Sequence, residues 1–133
     1  MNVILDTNTL VSGLFFKGKP RRILTAWRSG QFVLFASTEI FDEYARVIRE
    51  LSHLKPRFNP EKASVFLHKN LRFLKPVHLP HQICSDGDDD KFIACALPIM
   101  AIIVTGDKAL LKTSGYKGLV VLTPAEFERQ YLI

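Results

Sequence analysis

The chain has 133 residues, 47% hydrophobic and 23% charged, with a net charge of +5; this is the size of one domain with enough apolar material for a full core. Its apolar runs fall far short of the ~18 residues of a membrane span, and Met1 to Asp6 lack the basic start and long apolar stretch of a signal peptide. Cys84 and Cys95 are too few for a disulfide framework and read as free thiols in a reducing cytoplasm.

The positive charge is unevenly placed, which suggests a polyanionic partner. From His53 to Ser85 the only acid is Glu61, against Lys55, Arg57, Lys62, Lys69, Arg72 and Lys75. A second basic group is Lys17, Lys19, Arg21 and Arg22. One dense acidic run, Asp86-Gly87-Asp88-Asp89-Asp90, stands against this background. The ordinary account of the basic groups is solvated helix faces. A basic protein with one acidic knot also suits a cation held beside an anionic substrate.

Residues 2–5 (Asn-Val-Ile-Leu) read as a buried strand, closed by Asp6-Thr7-Asn8 as a turn. A helix is expected from Pro20, a favoured first helical residue, to Gly30. Residues 32–36 make a second strand. Ser37 then caps a helix with Ile40, Tyr44, Val47, Ile48 and Leu51 on one face. Asn59-Pro60 opens another helix, running to about Leu74, and Pro76–Leu79 reads as a peripheral third strand between two prolines. A helix follows from about Asp88 to Leu97, ended or kinked at Pro98. Residues 101–105 form a strand, Asp107 to about Thr113 a short helix, and Gly118–Leu122 the last strand. Thr123-Pro124-Ala125-Glu126 is a capping box with proline at its first helical position. Strands alternating with helices predict an α/β sandwich around a parallel sheet, in a single domain over residues 1–133.

In such a sheet, ligands bind beyond the carboxyl ends of the strands, where strand order reverses. Asp6 and Asp107 each follow an apolar strand and fall there, although an aspartate after a strand also serves as a turn or cap residue. Glu43 lies about 40° from Val47 at ~100° per residue, beside the buried stripe of its helix. A carboxylate so placed needs an ion pair, for which Arg46 and Arg49 are available, or a metal. Asp89 shares a helix face with Phe92, Ile93 and Ala96, while Asp88 and Asp90 project to either side. N-terminal acids complement a helix dipole, which accounts for one or two aspartates but not for four in five residues. Carboxylates converging on one end of a sheet repel one another unless a hard cation such as Mg²⁺ takes them as ligands.

In order and spacing these residues resemble the PIN-domain family, particularly its small prokaryotic toxin ribonucleases from toxin–antitoxin systems. The resemblance runs through Leu5-Asp6-Thr7-Asn8 with Ser12, and Ser37 with Glu43. It continues through residues 86–97, from Asp86 to Leu97, and Val104-Thr105-Gly106-Asp107-Lys108-Ala109-Leu110-Leu111. Ile99-Met100-Ala101 departs from the family's usual Gly-Ala-Asp, and Pro98 is unusual in that helix.

The resemblance implies a PIN-like three-layer sandwich with a mostly parallel five-stranded sheet flanked by helices. It implies a Mg²⁺- or Mn²⁺-dependent endoribonuclease in which a metal-activated water hydrolyses RNA phosphodiesters, leaving 5′-phosphate and 3′-hydroxyl ends. It assigns catalytic and metal-binding roles to Asp6, Glu43, Asp89 and Asp107, and supporting roles to Asn8, Ser12, Ser37 and Thr105. Asp86 is a candidate auxiliary acid, and Asp90 the rival to Asp89. Lys17, Lys19, Arg21 and Arg22 are placed to hold RNA phosphates. An antitoxin protein is the expected partner, and a homodimer is compatible with the sequence.

Other readings stand beside this one. The chain could be a non-catalytic RNA- or protein-binding module of the same fold. A phosphatase with an aspartyl acceptor would commonly carry a second aspartate where Asn8 stands. His78, His81 and Cys84 are spaced closely enough to suggest zinc, but lack a second strong ligand pair. Trp27 and the ten phenylalanines read as core.

Overall fold

A computed structural model describes all 133 residues. Its centre is one five-stranded, all-parallel sheet: β1 (Asn2–Leu5), β2 (Val33–Ala36), β3 (Arg72–Phe73), β4 (Ile102–Val104) and β5 (Val121–Leu122). The spatial order is β3-β2-β1-β4-β5. The chain therefore builds outward from β1 on one side, then returns to the other side of β1 with β4. The reversal of strand order lies between β1 and β4, paired with Val3 opposite Ile102 and Leu5 opposite Val104. Both strands are near-continuous apolar runs, as burial on two faces requires, and Val3, Ile4, Leu5, Ile103 and Val104 are fully buried.

Seven helices flank the sheet: α1 (Thr7–Phe15), α2 (Lys19–Arg28), α3 (Thr38–Leu51), α4 (Pro60–Asn70), α5 (Asp90–Ala96), α6 (Lys108–Leu111) and α7 (Pro124–Tyr131). α1 packs on α2 and α3, α3 on α4, α2 on α7, and α5 on β1 and β4. The α1–α2 approach depends on Gly13, where an added Cβ would stand 2.6 Å from Leu24 Cδ1 and 2.8 Å from the Pro20 carbonyl oxygen. No helix is long and apolar enough to cross a membrane.

The expected caps are present. Ser37 Oγ accepts from Ile40 N at 3.2 Å, and the Thr123–Glu126 box is closed in both directions. Four expectations need correction. Asp6-Thr7-Asn8 is not a turn but the start of α1, because Asp6 caps that helix. α4 stops at Asn70 rather than about Leu74, and the third strand is Arg72–Phe73, not Pro76–Leu79. Leu71 is buried and ends the helix in an extended conformation, so the chain turns into the sheet before the prolines. The acidic run forms a 3-10 turn over Gly87–Asp89, and α5 begins only at Asp90. Past α5, Pro98 sits in a second 3-10 turn, Leu97–Ile99, after which Met100 adopts a left-handed conformation.

Candidate active site

Two aspartates stand at the end of the sheet where strand order reverses. Asp6 leaves β1 with its N–H bonded to the Val104 carbonyl of β4 at 3.1 Å. Its Oδ1 accepts from Thr9 N at 2.8 Å, capping α1. Its Oδ2 accepts from the Thr105 hydroxyl. That hydroxyl in turn accepts from Asp107 N at 2.9 Å, so Thr105, fully buried beyond β4, couples the two acids through one oxygen. Asp107 caps α6 through Ala109 N at 2.9 Å. Burial raises the Asp6 pKa, opposed by the hydrogen bonds from Thr105 and Thr9.

The acidic run brings its own contribution. Asp86 caps the 3-10 turn through Asp88 N at 3.1 Å, and one carboxylate oxygen each from Asp86, Asp89 and Asp107 lie within 4.8 Å of one another. Asp89 Oδ2 is buried and receives no hydrogen bond. Burial, the Asp107 carboxyl beside it, and the charge of Asp86 push Asp89 up to about 7. Two facing carboxylates can be satisfied only by a shared proton or by a cation. A hard divalent ion fits this donor set, because it takes oxygen ligands and needs them deprotonated.

The remaining aspartates of the run are committed elsewhere. Asp90 accepts from Ile83 N at 3.0 Å and Cys84 N at 2.7 Å, tying down the preceding loop, so it does not replace Asp89 at the cluster. Asp88 pairs with Lys91 at 2.8 Å, and that hydrogen bond lowers its pKa.

Glu43 is not brought into the cluster of three. One oxygen accepts from the Thr7 hydroxyl, and the other lies 2.8 Å from Lys91 Nζ, whose side chain is only 5% exposed. Arg46 is a distant third partner at 4.0 Å. Burial favours the neutral amine of Lys91, but hydrogen bonds to Asp88 and Glu43 outweigh it and raise the lysine pKa. Lys91 and Thr7 were missed in the sequence. Lys91 had one available signal, since it stands three residues after Asp88 and directly before the apolar run of residues 92–97.

Asn8 and Ser12 line an open cleft of ≈ 430 Å³ with Asp6 and Asp107. Ser37 is 2% exposed and serves as the α3 cap. Among the expected RNA-binding residues, Arg21 donates to the Gly13 and Leu14 carbonyls of α1 at 3.3 and 3.2 Å. Arg22 pairs with Glu128 at 2.5 Å. Lys17 and Lys19 remain exposed. His78, His81 and Cys84 do not form a metal-binding group, and burial raises the Cys84 thiol pKa. The zinc reading is therefore set aside.

Two comparisons bear on this site. The chain is 29% identical to the uncharacterized protein MJ1680 of Methanocaldococcus jannaschii, covering 98% of this chain and 92% of that one. Residues 2–109 match the family model described as PIN domain. That span takes in β1, α3, the acidic run, β4 and Asp107, so the chain belongs to the PIN-domain family.

Proposed function

We propose that this chain is a Mg²⁺- or Mn²⁺-dependent endoribonuclease and the toxin of a toxin–antitoxin pair. PIN domains are generally metal-dependent nucleases, and PIN nucleases act on RNA. The observation that carries the reading is the convergence of Asp86, Asp89 and Asp107 at the sheet's reversal point, with Asp89 Oδ2 buried and lacking a donor. The toxin role, the antitoxin and a cytoplasmic setting rest on the resemblance to small prokaryotic members. The two buried free cysteines are in keeping with a reducing compartment.

Asp86, Asp89 and Asp107 would hold the ion. When bound, a divalent cation supplies the charge that acidifies a water and neutralises the charge developing on a phosphate. Asp6 supports Asp107 through Thr105 and presents its own carboxylate to the cleft that holds Asn8 and Ser12. Glu43, bound by Lys91 and Thr7, anchors α3 to α5 beside the cluster. Attack by water in line with the 3′-oxygen leaves a 5′-phosphate and a 3′-hydroxyl.

Asp89→Asn provides the test. Mn²⁺-dependent cleavage of single-stranded RNA should be abolished while the circular dichroism spectrum is unchanged. Full activity in that variant overturns the assignment. A saturable Mn²⁺ site without RNA cleavage in the wild type would favour the non-catalytic module instead.

A further inference from the structure

Lys91 is the one basic residue among the buried side chains. Taking an ammonium out of water is costly unless oxygen acceptors replace its hydration. An ammonium has three donors, and here all are engaged. Nζ donates to Asp88 Oδ2 at 2.8 Å and to the Asp88 carbonyl at 3.0 Å, and it lies 2.8 Å from Glu43 Oε1. No donor is left over to grip a phosphate. The Phe92 ring, centred 5.3 Å from Nζ, covers another side. A positive charge ringed by carboxylate and carbonyl oxygens has the surroundings of a hard cation.

The ammonium stands beside the acidic cluster. Burial and the Asp107 and Asp86 acids raise the Asp89 pKa, and the charge of Lys91 opposes them. Glu43 is tied to the cluster from the other side, since its second oxygen accepts from the hydroxyl of Thr7, the residue after Asp6, and Asp6 reaches Asp107 through Thr105. The acids thus fall into two sets. Asp86, Asp89 and Asp107 face one another and form no ion pair. Glu43 and Asp88 share Lys91. Joining α3 to α5 does not by itself call for a charge, because replacing a buried ion pair by apolar residues is often neutral or stabilising.

We propose that the Lys91 ammonium stands where a second divalent cation would otherwise bind, so that the centre takes a single ion on Asp86, Asp89 and Asp107. The inference rests on the metal-dependent reading and adds the number of ions and the residue that sets it. A second ion would meet a fixed positive charge, and Lys91 and Thr7 already engage both Glu43 oxygens. Glu43 is thereby withheld from the metal although it lies beside it. Lys91 touches neither the ion nor a substrate; it is a positioning residue that acts through Glu43 and Asp88.

Calorimetric titration with Mn²⁺, checked by elemental analysis of the dialysed protein, counts tightly held ions per chain. The wild type should hold one. Lys91→Met should hold two, and Mn²⁺ should raise its Tm by more than that of the wild type, because the second ion takes over the stranded Glu43. Adding Glu43→Gln to Lys91→Met should return the count to one, and Lys91→Arg, which keeps the charge, should stay at one. A purely structural ion pair would move the Tm of the free protein but not the ion count. Two ions in the wild type or in Lys91→Arg, or one in a folded Lys91→Met, would overturn the proposal. Should Lys91→Met fail to fold, Glu43→Gln alone decides: it should keep its one ion while Asp89→Asn loses it, and loss of the ion in Glu43→Gln would make Glu43 a ligand, against the proposal. If one of these contrary counts is found while the wild type still cleaves RNA in Mn²⁺, the role of Lys91 fails alone. If the wild type holds no Mn²⁺, both readings fail.

Discussion

Replacing Lys91 with methionine removes the one buried ammonium while keeping a flexible side chain of similar length. Lys91 Nζ lies 2.8 Å from both Glu43 and Asp88, and the three side chains are 5%, 17% and 70% exposed. The Asp88 contact is therefore a surface pair worth no more than ~1 kcal/mol. The Glu43 contact is buried, and removing one partner of such a pair costs about 3–5 kcal/mol by stranding the other charge. Glu43 keeps the Thr7 hydroxyl and a distant Arg46, which places the loss near the lower bound, about 3 kcal/mol. For a domain of this size that corresponds to a fall in Tm of roughly 10 °C. Thermal unfolding of Lys91→Met, Glu43→Met and the double variant closes the cycle. The double variant should be more stable than Lys91→Met alone, because no stranded carboxylate remains. A single-variant Tm within about 2 °C of wild type, or strictly additive losses, would refute the idea that this pair anchors α3 to α5.

Asp89 has its pKa raised from 3.8 to about 7, so the native metal-free protein binds more protons than the unfolded chain between those values. Its contribution to stability is full below pH 3.8 and is lost as pH rises through about 7; Asp89→Asn should abolish that slope in urea titrations. Mn²⁺ must displace the proton, so calorimetry in buffers of different ionisation enthalpy should show close to one proton released at about pH 6 and almost none at about pH 8; no release at the lower pH contradicts this. Thr105→Val leaves Asp6 Oδ2 and Asp107 N without their shared partner, and should weaken Mn²⁺ binding by about 10–100-fold with the fold intact; unchanged affinity would show that the hydroxyl does not position Asp107. Asp90→Ala frees the Ile83 and Cys84 N–H groups and should cost about 1–3 kcal/mol in denaturant unfolding, with Mn²⁺ stoichiometry unchanged; loss of the metal site would return Asp90 to the ligand set.

Much of this architecture was legible in the sequence, for identifiable reasons. β1 and β4 are apolar on both faces because both are central, and Ser37 and Thr123 announce their helices through side-chain caps. Asp6 and Asp107 follow from their strand ends. α1 was hidden because Thr7 and Thr9 have modest helix propensity and Asp6-Thr7-Asn8 resembles a turn. Tertiary packing decides there, with Thr7, Thr9, Leu10 and Phe15 all buried. β3 was misplaced because a two-residue edge strand leaves almost no pattern. Within the acidic run, sequence could not divide the aspartates. Their division depends on Lys91, which engages Asp88, and on the Ile83–Cys84 loop, which engages Asp90. Glu43 was placed at a buried margin beside Arg46, which lies 4.0 Å away, but its close counter-charge is Lys91 of α5 at 2.8 Å.

The position of β4 has a consequence for synthesis on the ribosome. β1 is made first, yet one of its two neighbours is residues 102–104. Until those emerge, the nascent chain carries an open apolar edge along Val3, Ile4 and Leu5, a hazard for mispairing that favours early shielding. Asp107 follows the missing strand by only three residues. The last native neighbour of β1 and the last of the clustered carboxylates thus leave the exit tunnel together, and a nascent chain short of them has neither a closed core nor a complete acidic centre.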